Sequence, residues 1–522
     1  MKRFRWIVTV AVIGVFLFSG IVFGAEKVLR IALIGDDGAF TPFASGTSTF
    51  EGMEWNVNER LVRFDGTGAP EGQLAESWEI VGADRWRIHL REGVFFTNGE
   101  PFNADAVKFS IMWLKETEGS VYDSWLSQIL DVEVVDEYTA DIITDGPNPE
   151  LIPQLAWASP MYPPIYSTES EDYTTAPVGT GPYIVTEYQR DVQIVFEKNE
   201  SYWGSTPEWD RIICRPIPDA ATRTAALISG EVDFVEGLAP QDIDLVNATA
   251  GVRAVVIPSQ RVIRLVLDGY RETGGAAPEG SPGIPVGAVN PFTDYRIRQA
   301  LWHAIDTEAL VEFALEGQGA SADQLMLMSS EGYAPGVKRL SFDPARAREL
   351  LADAGYDGTL IRFDFPNDRY ANDGDVGLAI TQMLENVGFN IEANSQSKTV
   401  LFPQYSSDST TLGLIGWGAL TMPIMSSDGM LYGDATEGVF GRQTYDTVDL
   451  PILAAILNAL KTEMDPTVRA VYYRQLAELN RFFVASVPLY YTAIARGISD
   501  NIVWDGEAAM EHIFFDMIHP AE

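Results

Sequence analysis

The 522-residue chain has one cysteine, Cys214, so no intramolecular disulfide can form. Stability must then come from an apolar core, and a 46% share of hydrophobic residues supplies the material for one. Histidine is nearly as scarce. His89, His303, His512 and His519 are the four, and no two have the close spacing of a metal-binding pair, so neither a metal nor a cofactor is expected. Lysine is thin too, at eight against 28 arginines, and acids exceed bases until the formal charge is −38. Such a surface repels nucleic acid and anionic lipid, which removes both as expected partners. The surplus carboxylates read as a solvated coat. Catalytic signatures are missing as well. There is no G-x-S-x-G elbow, and "GTGPY" (residues 179–183) lacks the lysine and following helix of a phosphate-binding loop. A glycosidase-like carboxylate pair stays open among 74 acidic residues. The expectation is a chain that is not an enzyme, with a secreted glycoside hydrolase as the distant alternative.

Long apolar runs are absent with one exception. "MKRFR" is followed by an apolar stretch at 6–23 and then by Gly24 and Ala25. Charged, apolar and small, in that order, is the pattern of a secretory signal, so residues 1–25 are assigned to a signal peptide. An uncleaved anchor is the alternative, because about 18 apolar residues can span a bilayer. The expected location is periplasmic or extracellular. No cysteine stands near the cleavage point for lipid attachment.

What is present is alternating α and β pattern over the remaining length. "KVLRIALIG" (27–35) reads as a strand. Residues 78–90 alternate as a hairpin, and Asn103 or Asp105 can cap the helix that begins at 104–107. A second hairpin follows at 132–144. After a glycine- and proline-rich stretch at 274–292, helices and strands alternate more cleanly, with helices at 295–315, 344–355, 375–388 and 467–487. Two α/β lobes are predicted, with the ligand in the crevice between them.

Several motifs in order carry a resemblance. They are "LAESWE" (74–79), "WRIHLREGVFFTNGEPFNADAVKFS" (86–110), "VGTGPY" (178–183), "ALISGEVDF" (226–234), "DYRIRQALWHAID" (294–306) and "SVPLYY" (486–491). Together they resemble the peptide/nickel class of extracytoplasmic solute-binding proteins that feed ATP-driven importers. Most of these residues read as structural: Trp78 and Trp86 as core, Gly179 and Gly181 as a tight turn, Arg296 and Arg298 as partners of nearby acids. The resemblance implies an α/β, bilobal periplasmic-binding-protein fold of type II, of the three-domain oligopeptide-binding kind. Lobe I is placed at 26–58, 179–267 and 489–522, a β-rich subdomain inserted in it at 59–178, and lobe II at 268–488. Hinge crossings are expected near 268–270 and 488–491. A membrane permease is the implied partner, and the protein is expected to be a monomer.

"GLIGWGALTMP" (413–423) carries the main site expectation. In peptide-binding relatives a Gly-Trp stretch faces the cleft, and an aspartate shortly after it pairs with the ligand's amino group. Gly416 and Trp417 are present, but the position three after Trp417 is Leu420, and the first carboxylate is Asp428. That departure tilts the expected ligand slightly toward an oligosaccharide stacked on indole, with an oligopeptide as the alternative. Further candidates are Ser45, Thr47 and Phe50 in the loop after the first strand, Trp55 one helical turn on, Tyr270 at the presumed hinge, and the loop aromatics Tyr405 and Tyr432.

Overall fold

The computed structural model describes residues 26–36, 38, 40, 48–65, 69–118, 120, 122–167, 175–276, 280–328, 330–407, 409–418, 424, 451–505 and 512–521. The assigned signal segment lies outside them.

Two long strands, Val252–Leu267 and Ser486–Ser499, run antiparallel through the middle of an eleven-stranded sheet. On one side come Leu412–Gly418, Ile361–Pro366 and Ile391–Gln396. On the other come Phe234–Val235, Val28–Leu33, Arg211–Pro216, Gln193–Lys198 and Tyr183–Gln189, and Ala320–Ser321 pairs with Ser486–Ser499 off this path. The long strands feed two separate cores. Ile257 and Ile498 pack with Leu29, Ile31, Phe196 and Phe234. Ile263, Leu265, Val487 and Leu489 pack instead with Trp302, Phe363 and Ile380. Between these halves the pairing is irregular, with register shifts from Pro258 to Val262 and from Ile263 to Arg264. Proline has no amide proton to give a ladder, so a break beside Pro258 is physically reasonable.

The strand pairing therefore puts the first crossing before 262 rather than near Asp268. Asp268 is fully buried, donates its N–H to Thr411 O at 2.8 Å and pairs with Arg271 at 2.6 Å, all within the second half. On the return pass the irregularity faces Tyr490, Tyr491 and Ala493, beside the expected crossing.

The inserted region folds as a four-stranded antiparallel sheet in the order Ala75–Gly82, Arg85–Leu90, Thr139–Thr144, Ile129–Asp136. The helix Ala104–Glu116 packs on it. Asn103 is the cap, accepting N–H bonds from Asp105 and Ala106 at 3.1 and 3.2 Å. Trp78 and Trp86 pack, partly buried, against its core, as expected. The pair Gly179 and Gly181 needs a different explanation from a tight turn. An added Cβ at Gly181 would lie 2.6 Å from Asn56 O, and one at Gly179 would overlap Val57 O, so the requirement is close backbone approach. Arg296 pairs with Asp294 at 2.5 Å, and Arg298, whose charge also helps to lower the Asp294 pKa, donates to the carbonyls of Phe292 and Phe483. The helix predicted at 295–315 divides into Tyr295–Ala304, a short turn at Thr307–Ala309 and a π-helical turn at Leu310–Ala314.

Candidate functional site

The strand Leu412–Gly418 sits centrally in the second half and is buried as far as Gly416; Trp417 is half-buried and Gly418 exposed. On one side it pairs over its whole length with Val252–Leu267, setting Trp417 opposite Val262. On the other it pairs with Ile361–Pro366 only at Leu412 and Gly413. Beyond Gly413 that edge is open, and two tyrosines fill it. Tyr405 Oη donates to Leu414 O at 2.9 Å, and Tyr370 Oη accepts the Gly416 N–H at 2.8 Å. Backbone groups at a buried edge need partners, and these hydroxyls are the partners.

A side chain at Gly416 would force its neighbours to shift. An added Cβ would meet Ile263 Cδ1 at 2.8 Å and both Arg261 Cδ and Tyr370 Cε1 at 2.9 Å. The glycine lets an arginine and a tyrosine close over the strand end. The Arg369 guanidinium lies 5.5 Å from the Tyr370 ring centre and that of Arg261 6.0 Å from it, within cation–π range. The loop bearing Arg369 and Tyr370 follows the strand Ile361–Pro366 and is held by Asp373. This buried carboxylate accepts the N–H groups of Arg369 and Tyr370 at 2.9 Å each and of Gly374 at 3.0 Å. Burial raises the Asp373 pKa against those bonds. Asn372, left-handed at φ 50°, anchors the loop a second time through Nδ2 to Ala314 O at 3.0 Å.

Beside Tyr370 a small pocket straddles the two halves. Leu238, Pro240 and Ala493 line it from the first half, and Leu315, Gln318 and Tyr370 from the second.

Of the expected site residues, Gly416 and Trp417 stand at this junction. Trp417 is not a bare platform: one side packs against the cluster of Val262, Ile424, Leu457 and Tyr491. Trp55 belongs elsewhere. It is buried at the seam between the first half and the insert, 4.2 Å from the His512 ring and 3.7 Å from the Arg60 guanidinium. Phe50 is buried at 5% exposure. Tyr405 is a core residue at 4% exposure, seated because an added Cβ at Gly413 would meet its ring at 2.6 Å. Tyr270 is exposed and receives its main-chain position from Asp268, whose Oδ1 accepts its N–H at 3.2 Å. Ser45, Thr47 and Tyr432 lie outside the described residues, as do Leu420 and Asp428. The structure adds three residues that the sequence reading missed, Arg261, Arg369 and Tyr370. A signal for two of them was available: "NDRYAND" lies at the carboxyl edge of a parallel strand, the place where α/β crevices open.

Among the described residues no group of three or more His, Cys, Asp or Glu side chains is placed to hold a metal ion. None of the described helices is long and apolar enough to cross a membrane.

Known proteins share this fold. The chain is 27% identical to the dipeptide-binding protein of Escherichia coli K12 over 364 residues, 63% of either chain. It is 27% identical to di/tripeptide-binding protein 1 of Pseudomonas aeruginosa over 444 residues, 77% of this chain and 78% of that one. Among solved structures, the Helicobacter pylori periplasmic binding protein DppA with the peptide STSA superposes at a TM-score of 0.79 and 20% identity, covering 95% of this chain and 98% of that one. NikA from Brucella suis with Fe(III)-EDTA superposes at 0.80 and 24% identity, covering 95% and 100%. These likenesses establish the fold as that of periplasmic binding proteins. The model of the middle region of the bacterial extracellular solute-binding proteins, family 5, matches residues 69–437, and the chain belongs to that family.

Proposed function

We propose that this protein is the extracytoplasmic receptor of an ATP-driven importer and that it traps a short peptide between its two halves. The observation that carries the reading is the Arg369 guanidinium beside Tyr370 at the Gly416–Trp417 strand end. A peptide brings a carboxylate that a guanidinium fork can take with two parallel hydrogen bonds, and it brings side chains that half-buried indole can cover. A neutral sugar brings no such charge. The oligosaccharide expectation rested on Leu420 alone, and nothing described in the cleft adds to it, whereas relatives named as di- and tripeptide-binding proteins favour the peptide.

In this mechanism the open cleft admits the solute, which meets the preset Arg369–Tyr370 loop. Asp373 holds that loop through three amide bonds, so little of the binding energy goes into ordering it. Closure about the irregular strand segment then shifts the population toward the trapped form, the form a permease would recognise.

A thermal-shift panel of di- to penta-peptides and β-linked oligosaccharides tests the reading. A ligand at a hundred times its Kd stabilises the folded state by about 2.7 kcal/mol. Peptides should raise the Tm, and Arg369→Ala should remove most of the rise for peptides with a free carboxyl terminus. A response to saccharides alone would sink the peptide reading, and turnover of any of them would sink the receptor reading.

A further inference from the structure

We infer that Glu150 is a positioning residue, a latch that ties the inserted subdomain to the second half and keeps captured solute from leaving. The inference rests on the two-half receptor reading but not on the ligand being a peptide.

Glu150 stands at the start of the helix Leu151–Ala158, and its side chain does not cap that helix. It reaches away instead and accepts the N–H of Ile424 at 2.6 Å, a contact between residues 274 apart in the chain. The two ends belong to different cores. Leu151, Ile152 and Leu155 pack in the insert. Ile424 packs with Leu453, Leu457 and Tyr473, in the cluster against which Trp417 also leans.

The insert side is rigidly set. Asn148 Oδ1 accepts the Glu150 N–H at 3.0 Å, Glu150 O accepts from Gln154 N at 2.8 Å, and Asn148 Nδ2 donates to Gln154 Oε1 at 2.9 Å. The carboxylate is thus presented from a braced turn. On the far side the helix Pro466–Phe483 supplies Arg469 and Tyr473. Arg469 is held by Glu331 at 2.7 Å and by the carbonyls of Glu463 and Met464 at 3.0 Å each. Burial, and next to it the charge of Glu150, push the Tyr473 phenol up, which places that charge close to the second half.

Glu150 is 6% exposed. A carboxylate taken from water needs compensation, and here a main-chain N–H provides part of it. Parting the halves would return the carboxylate to water and break that bond. The contact therefore favours the closed arrangement, and its loss should act on release rather than on capture, since release is where most differences in affinity reside.

The test uses the full chain with Glu150→Ala and Glu150→Gln. Stopped-flow tryptophan fluorescence with trialanine gives association and dissociation rates, and small-angle scattering of the ligand-free proteins gives the radius of gyration. Glu150→Ala should release trialanine about tenfold faster with an unchanged association rate, and should be more expanded than the parent when empty. Glu150→Gln keeps an acceptor oxygen for the Ile424 N–H and should fall between the two. The apo Tm of both variants checks that they are folded. A parental release rate in Glu150→Ala would overturn the latch, as would a fall in association rate and apo Tm together, the mark of a fixed structural seam. If trialanine binds none of the proteins, scattering alone decides the latch: an empty Glu150→Ala as compact as the parent overturns it.

Discussion

Trp55 and Trp417 occupy opposite kinds of surroundings. Trp55 is closed in on every side by His512, Trp157, Phe514 and the Arg60 guanidinium, and is 3% exposed. Trp417 is half-buried, packed on one side and standing at the end of a strand whose next residue is exposed. The difference teaches that an aromatic is available to a solute only where its shell of protein contacts is left open. The variants should separate accordingly. Trp55→Ala should cost about 3–5 kcal/mol of stability, the range for removing a large buried aromatic, read by urea unfolding. Trp417→Ala should lower peptide affinity by about a hundredfold, as loss of an aromatic anchor does at interfaces, with a much smaller change in unfolding, read by calorimetry. Equal destabilisation by both would erase the contrast.

The seam around Trp55 also carries a carboxyl group that burial moves to near neutral pH. Glu54 is fully enclosed, accepting hydrogen bonds from Tyr122 at 2.7 Å and from Tyr162. Burial lifts its pKa from 4.5 to about 7, against the pull of the two tyrosines. Because the folded value lies above the unfolded one, the native state holds the proton more tightly. This contribution to stability is complete below about pH 4.5 and is lost as pH rises through about 7. The parent should therefore melt lower at about pH 8 than at about pH 5, and Glu54→Gln should reduce that fall. An unaltered pH profile in the variant would show that the tyrosine bonds keep the carboxylate ionised.

How far these regions could be read from sequence depends on how local their causes are. The hairpin at Ala75–Leu90 and the Asn103 cap were legible because strand alternation and cap chemistry act within a few residues. The family motifs foretold the fold. Trp55 was misplaced because His512, which stacks on it, lies 457 residues further on and leaves no local trace. The first crossing was displaced because "VRAVVIPSQRVIRLVL" reads as continuous strand, with Pro258 its single warning. Tyr405 and Tyr370 could not be ranked, since their roles follow from where the strand Leu412–Gly418 loses its neighbour.

That last pair offers the finest comparison, two tyrosines serving one strand edge. Tyr405 gives its proton to Leu414 O in the interior; Tyr370 takes the Gly416 N–H where the edge reaches the cleft. Removing either hydroxyl strands one backbone group, at a cost of about 1 kcal/mol. In Tyr405→Phe that cost should appear wholly as lost stability, because the ring stays seated over Gly413 and touches no solute. In Tyr370→Phe it should appear chiefly in affinity, since the freed amide lies at Gly416, directly before the half-buried indole, and the loop is still held by Asp373. Paired melts and titrations of the two variants measure the division. If Tyr405→Phe lost affinity as readily as Tyr370→Phe, the strand end would be responding as one unit, and the cleft would extend deeper along Leu412–Gly418 than Tyr370.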